Sequence, residues 1–168
     1  TASDLIGRSG KEELARQLYK EIRATDGVIS AIDMMLHDYG PDRYSGSVNI
    51  EIDHKRSIGE VYEEIHRLQL RIMEEYHVTM VFGIYAVDED TSSVVDIRRY
   101  IGKFVRVNEH VKSFHALYLS KETGTLYCDL IVDYALGDWE ELKESFIEYM
   151  KKQYPEYEIS LTIETEFV

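Results

Sequence analysis

Cysteine occurs once in this chain, at Cys128, and proline only twice. A single thiol excludes an internal disulfide and any zinc site built from several cysteines. Two prolines and ten glycines exclude collagen-like and linker-like sequence. Long apolar runs are missing as well. The longest, Val78–Val87, is about half of what a membrane helix needs. Basic residues are scarce, 19 against 32 acidic, which puts the chain at −13 near pH 7. A surface so negative repels phosphate backbones and anionic lipid, so neither nucleic acid nor direct membrane insertion is expected.

Signatures of catalysis are also lacking. Gly7-Arg8-Ser9-Gly10 has neither the preceding strand nor the lysine of a phosphate-binding loop. No nucleophile elbow and no HExxH pattern occurs. The chain therefore reads as a non-enzyme. Thirteen tyrosines supply amphipathic surface that suits interfaces, although many fall in strand-like segments. The opening Thr1-Ala2-Ser3 reads as a cut within a longer protein.

What is present is a repeat. Leu14, Leu18 and Ile22 recur every four residues, predicting a helix over 11–24 capped by Ser9 or Gly10. A strand over Val28–Asp38 leads to the turn signal Tyr39-Gly40-Pro41-Asp42. Over 46–53, Val48, Ile50 and Ile52 alternate with Asn49, Glu51 and Asp53. Ser57 and Glu60 form a capping-box pattern before a helix with the stripe Ile58, Val61, Ile65, Leu68 and Ile72. Val78–Val87 closes the unit as a strand.

The same order then returns. A helix is predicted over 94–107, a strand over 111–120 and a turn at Lys121-Glu122-Thr123-Gly124. Over 126–134, Cys128, Leu130 and Val132 alternate with Tyr127, Asp129 and Ile131. Asp138 caps a helix carrying Trp139, Leu142, Phe146, Tyr149 and Met150, and a last strand covers 159–168. The fold class is α+β: two tandem α-β-β-α-β repeats of ferredoxin-like, metallochaperone-like design, each a three-stranded sheet with two helices on one face. Charge divides evenly, −6 for residues 1–88 and −7 for the rest. Units this small bury little surface, so the copies are expected to pack on each other, on a second chain, or on both.

The first repeat resembles the cytoplasmic C-terminal domain of cation diffusion facilitator transporters. The residues that carry the resemblance are Asp4-Leu5-Ile6-Gly7, Asp26-Gly27-Val28 running through Asp33-Met34-Met35-Leu36-His37-Asp38-Tyr39-Gly40-Pro41, and Gly46 to Asp53. The second repeat is similar to a further module of longer bacterial members. The resemblance implies a juxtamembrane linker over 1–10, a cation-efflux dimerisation repeat over 11–88 and a second repeat over 92–168. It implies the cytoplasmic, regulatory part of a divalent-metal/proton antiporter, with no transport activity of its own. It further implies a homodimer with the first-repeat sheets facing each other. It implies as a second partner the transmembrane domain of the same full-length chain, and for this soluble part a place on the cytoplasmic side of the cell membrane.

The resemblance also marks where ligands belong. Where the family carries histidines or an aspartate, repeat one has Ile32, Asn49, Tyr62, Gly83 and Tyr85. These are poor or impossible zinc ligands. Aligning the repeats puts His115 at Ile32, Asp129 at Asn49, Glu164 at Gly83 and Glu166 at Tyr85. One imidazole and three carboxylates suit zinc, manganese or iron(II). The alternative reading is of solvated carboxylates on an outer sheet face. Weaker candidates are Asp53-His54 at a strand end, and the lone histidines His37, His66, His77 and His110. Cys128 belongs to the core side of its strand. Two non-metal alternatives stand beside this function: a stand-alone α+β module that binds a ligand or protein, and a purely structural dimerisation domain.

Charge alone yields a first prediction. Two copies of a −13 chain repel each other, so salt or divalent cations strengthen self-association even without a specific site. Sedimentation at low and high ionic strength checks this. A dimer constant indifferent to both ions and salt rules it out.

Overall fold

The computed structural model describes residues 2–41, 43–89 and 91–165, with side chains from Gly10 onward. It forms two compact units that divide between Tyr85 and Ala86. The first holds α1 (Ala2–Arg23), β1 (Val28–Asp38), β2 (Tyr44–Asp53), α2 (Ile58–Tyr76) and β3 (Val78–Val87). The second holds α3 (Ser92–Val107), β4 (Val111–Ser120), β5 (Thr125–Val132), α4 (Trp139–Gln153) and β6 (Glu158–Thr165). Each unit is an α-β-β-α-β repeat with one three-stranded sheet, in the orders β1-β2-β3 and β4-β5-β6. The first hairpin of each is antiparallel, and β6 runs parallel to β5.

Strict alternation builds the cores. Val48, Ile50 and Ile52 of β2 point to one face, where Leu18 and Ile22 of α1 and Val61, Ile65, Leu68 and Ile72 of α2 cover them. In the second unit Cys128, Leu130 and Val132 of β5 meet Ile97, Ile101 and Phe104 of α3 and Phe146 and Met150 of α4. Each fully buried aliphatic side chain contributes roughly 1.5–3 kcal/mol. Both helices of a unit therefore cover the same sheet face. The thiol of Cys128 is a core group, 1% exposed.

The first strand of each unit is broken in the same two places. The β1–β2 register shifts between Val28 and Ser30 and between Ile32 and Met35. The β4–β5 register shifts between Val111 and Ser113 and between His115 and Tyr118. At the second shift Asp33 has φ 53° and Ala116 has φ 54°, both left-handed. The bulge turns the next residue, Met34 or Leu117, fully inward. The two hairpins share one backbone course although their side chains differ.

Local chemistry sets the ends. The Glu60 N–H donates to Ser57 Oγ at 3.3 Å, and the Ser57 N–H donates to the Glu60 carboxylate at 3.0 Å, completing the capping box. Asp138 Oδ1 accepts from the Glu141 N–H at 2.9 Å and caps α4. In the second unit two tyrosines lock the helices together. The Tyr100 and Tyr149 rings stack at 4.2 Å. Each hydroxyl donates to the other residue's carbonyl, at 3.1 and 2.9 Å. Burial first, and then the neighbouring Tyr100, push the Tyr149 hydroxyl above its usual range.

Two expectations are corrected. The first helix, expected over 11–24, begins at Ala2, because a nucleated helix extends cheaply and two glycines weaken it without a proline to stop it. Ile58 and Trp139 stand outside their stripes, 74% and 40% exposed. Each opens its helix, one turn ahead of the residues that reach the core. Glu166 and Phe167, which the sequence predicts in the last strand, lie outside the described residues.

Replacing the cap, Ser57→Ala, is expected to lower stability by about 1 kcal/mol in denaturant titration. An unchanged midpoint would show that α2 is held by its packing alone.

Candidate metal centre on the second sheet

The face of each sheet turned away from its own helices carries the alternate residues. In the second unit β4 brings His115 directly opposite Asp129 of β5. Side chains so paired have Cβ atoms about 4.5–5.5 Å apart. Asp129 is only 8% exposed, and His115 is partly buried. Ser113, two residues before, has its Oγ 3.0 Å from His115 Nε2. A carboxylate this enclosed requires compensating donors or positive charge, and an adjacent imidazole is one source of either.

The third strand places the next carboxylate one row away. The β6 residue opposite Asp129 is Thr162, while Glu164 lies opposite Ile131. In the first unit a Cβ at Gly83 would collide with the Asn49 side-chain oxygen, so Gly83 faces Asn49 across the sheet. Gly83 therefore corresponds to Thr162, and the alignment that set Glu164 at Gly83 is offset by two residues. A two-residue slip keeps every side chain on its face, which is why alternation alone does not detect it. Diagonal neighbours are about 7–8 Å apart, within reach of a glutamate side chain. His115 and Asp129 are thus brought together, and Glu164 stands beside them on the same face. Glu166 lies outside the described residues. Among the described residues no three His, Cys, Asp or Glu side chains are grouped closely enough to hold an ion.

The same place in the first unit is filled differently. Ile32 lies opposite Asn49, whose Nδ2 donates to Asp33 Oδ2 at 3.3 Å. One row on, the Ser30 hydroxyl donates to the Glu51 carboxylate at 2.6 Å. Ile32 and Gly83 offer no side-chain donor atom, so among the described residues these two positions supply no metal ligand.

The remaining histidines have separate settings. His66 stacks on Tyr62 on the exposed side of α2, ring centres 5.7 Å apart. His77 ends α2 in the left-handed conformation, φ 55°. His37 is exposed, and its neighbour Asp38 accepts from the Gly40 N–H in the turn. Asp53 accepts from the Lys55 N–H at 2.8 Å, a turn contact beside His54.

His110 has a partner that its neighbours in the chain did not reveal. Its Nδ1 lies 3.1 Å from Asp133 Oδ1. The pairing of Val111 with Val132 sets these two side chains together just beyond the strand ends. The hairpin register carries this signal once the turn at 121–124 is fixed. Partial burial pushes the Asp133 carboxyl up, but hydrogen bonds from His110 and the Ala135 N–H outweigh it and hold the group below its ordinary value of 3.8.

Fold and face together define a class: a duplicated α-β-β-α-β module whose second copy carries an imidazole and carboxylates on its sheet. No family model and no curated protein matches the chain. Among solved structures the chain is similar to forms of the MamM C-terminal domain. A zinc form is 15% identical, covering 50% of this chain and 93% of that one, with a TM-score of 0.43. A nickel form is 13% identical, covering 46% of this chain and 99% of that one, with a TM-score of 0.41. No helix among the described residues is long and apolar enough to cross a membrane.

Because Asp133 titrates low when folded, its contribution to stability is fully present above the ordinary aspartate value and is lost as pH falls from there through the lower folded-state value. Asp133→Asn is expected to lower stability at neutral pH, to leave it little changed in acid, and so to flatten the acid limb of a stability-against-pH curve. An acid limb identical to that of the parent would show that His110 and Asp133 do not couple to folding.

Proposed function

We infer that this chain is the cytoplasmic regulatory and dimerisation part of a divalent-metal/proton antiporter of the cation diffusion facilitator kind. It has no transport activity of its own. The stretches that resemble the family fall on the α1–β1 turn, on β1 with its bulge and hairpin turn, and on β2. The observation that carries the metal part is the His115–Asp129 pair. It occupies the sheet position that Ile32 and Asn49 hold in the first unit.

The donor chemistry fits a divalent ion. One imidazole and one enclosed carboxylate are hard-to-borderline ligands suited to zinc, manganese or iron(II). Glu164, on the same face one row away, is a further carboxylate that the site could recruit. The ion would draw these residues together and reduce the charge that opposes association of two copies, so metal and dimer formation reinforce each other. A second reading, a structural dimerisation domain without metal, is favoured by the first unit. There the Asn49–Asp33 hydrogen bond satisfies the corresponding polar groups with no ion.

Thermal melts of chelator-treated protein with zinc, manganese, iron(II) or magnesium separate the two. An ion at a hundredfold excess over its Kd adds about 2.7 kcal/mol, a midpoint rise of a few degrees. The expected result is a rise with zinc or manganese but not with magnesium, abolished in His115→Ala and Asp129→Asn. No rise with any ion would leave dimerisation as the whole function. A rise that survives both substitutions would place the metal elsewhere.

A further inference from the structure

A cavity of about 580 Å³ opens at the far end of the first unit, where the β1–β2 hairpin meets the C-terminus of α2. Tyr39 and Tyr44 supply aromatic walls and Met73 an apolar floor. Arg43 and His77 supply the nitrogen donors, and Thr79 adds a hydroxyl. The size falls within the roughly 300–1,000 Å³ of small-molecule sites.

Two features give the cavity a chemical preference. In a chain with 32 acidic residues, none of the described residues lining it is acidic. Among the described residues the Arg43 guanidinium makes no ion pair and no side-chain hydrogen bond. An arginine without a carboxylate partner is unusual where carboxylates are so abundant. The smaller cavity of the second unit shows the contrast. It is about 270 Å³, and its Arg99 is already paired with Asp96 at 3.0 Å.

The backbone adds a third observation. His77 holds φ 55°, a conformation that glycine adopts without strain and that disfavours a side chain. The α2 cap is secured through the His77 N–H to Met73 and the His77 carbonyl to the Tyr44 N–H, both at backbone level. Glycine would serve that cap as well. The cap thus does not require an imidazole at the cavity wall.

We propose that this cavity binds a small organic anion with a planar apolar body, of the aromatic monocarboxylate class. The ring lies between Tyr39 and Tyr44 and over Met73, and the carboxylate takes the planar fork of Arg43. Bidentate pairing with a guanidinium favours a carboxylate over a point anion, and the tyrosines favour a flat body over an aliphatic one. A cation is excluded by Arg43 itself.

The five methionines make the test direct, because their labelled methyl groups give separate magnetic-resonance signals. Met73 lines the cavity, while Met34 and Met150 are fully buried in the two cores. Naphthoate is expected to shift the Met73 signal saturably and to leave Met34 and Met150 in place. It should bind about tenfold more tightly than neutral naphthamide, the margin of one charge-assisted hydrogen bond. Arg43→Gln, at an exposed position outside the core, should erase that margin and keep the weak binding of the amide. Three outcomes overturn the proposal: no shift at Met73, equal affinity for acid and amide, or a margin that survives Arg43→Gln. Acetate acting as well as naphthoate would also overturn it, by removing the role of the aromatic walls.

Discussion

Burial of one face of each three-stranded sheet beneath a helix pair is the constraint on which everything else rests. The central strands obey it residue by residue, with Val48, Ile50 and Ile52 in one unit and Cys128, Leu130 and Val132 in the other turned to the helices. Once those positions are fixed, Asn49 and Glu51, or Asp129 and Ile131, must face the other way. The bulges serve the same end. They return Met34 and Leu117 to the core after a break in register, at the expense of a left-handed residue in each copy.

This division of labour explains how two units of one design come to carry different chemistry. The inner faces are interchangeable sets of aliphatic side chains, fixed by volume and pattern. The outer faces carry no such demand, so isoleucine, asparagine and glycine stand in one where histidine, aspartate and threonine stand in the other. Asp129 is the most enclosed carboxylate described on the second sheet, 8% exposed. Enclosing a carboxylate is costly unless charge or donors compensate it.

The elements were legible because they rest on local signals. Alternation placed the strands, spacing of three and four placed the helices, and Ser57, Glu60 and Asp138 marked the caps that form. The repeat alignment marked His115 and Asp129 one by one, and the β4–β5 register sets them opposite each other. What escaped depends on contacts distant in sequence. The place of Glu164 depends on the parallel register of β6 against β5, which no turn fixes. The pairing of Tyr100 with Tyr149 depends on how α3 and α4 lie side by side. The cavity at Arg43 draws on three separate elements, and its defining property, an arginine with no carboxylate partner among the described residues, has no sequence signature.

The lone thiol has a use beyond packing. Cys128 sits on the middle strand of the second sheet, between β4 and β6 and beneath both helices, where no reagent reaches it. Alkylation must wait until that strand is uncovered, so the rate of modification counts openings of the second unit and is blind to those of the first. The chain thus carries an intrinsic clock for one half of itself, with no label to be engineered.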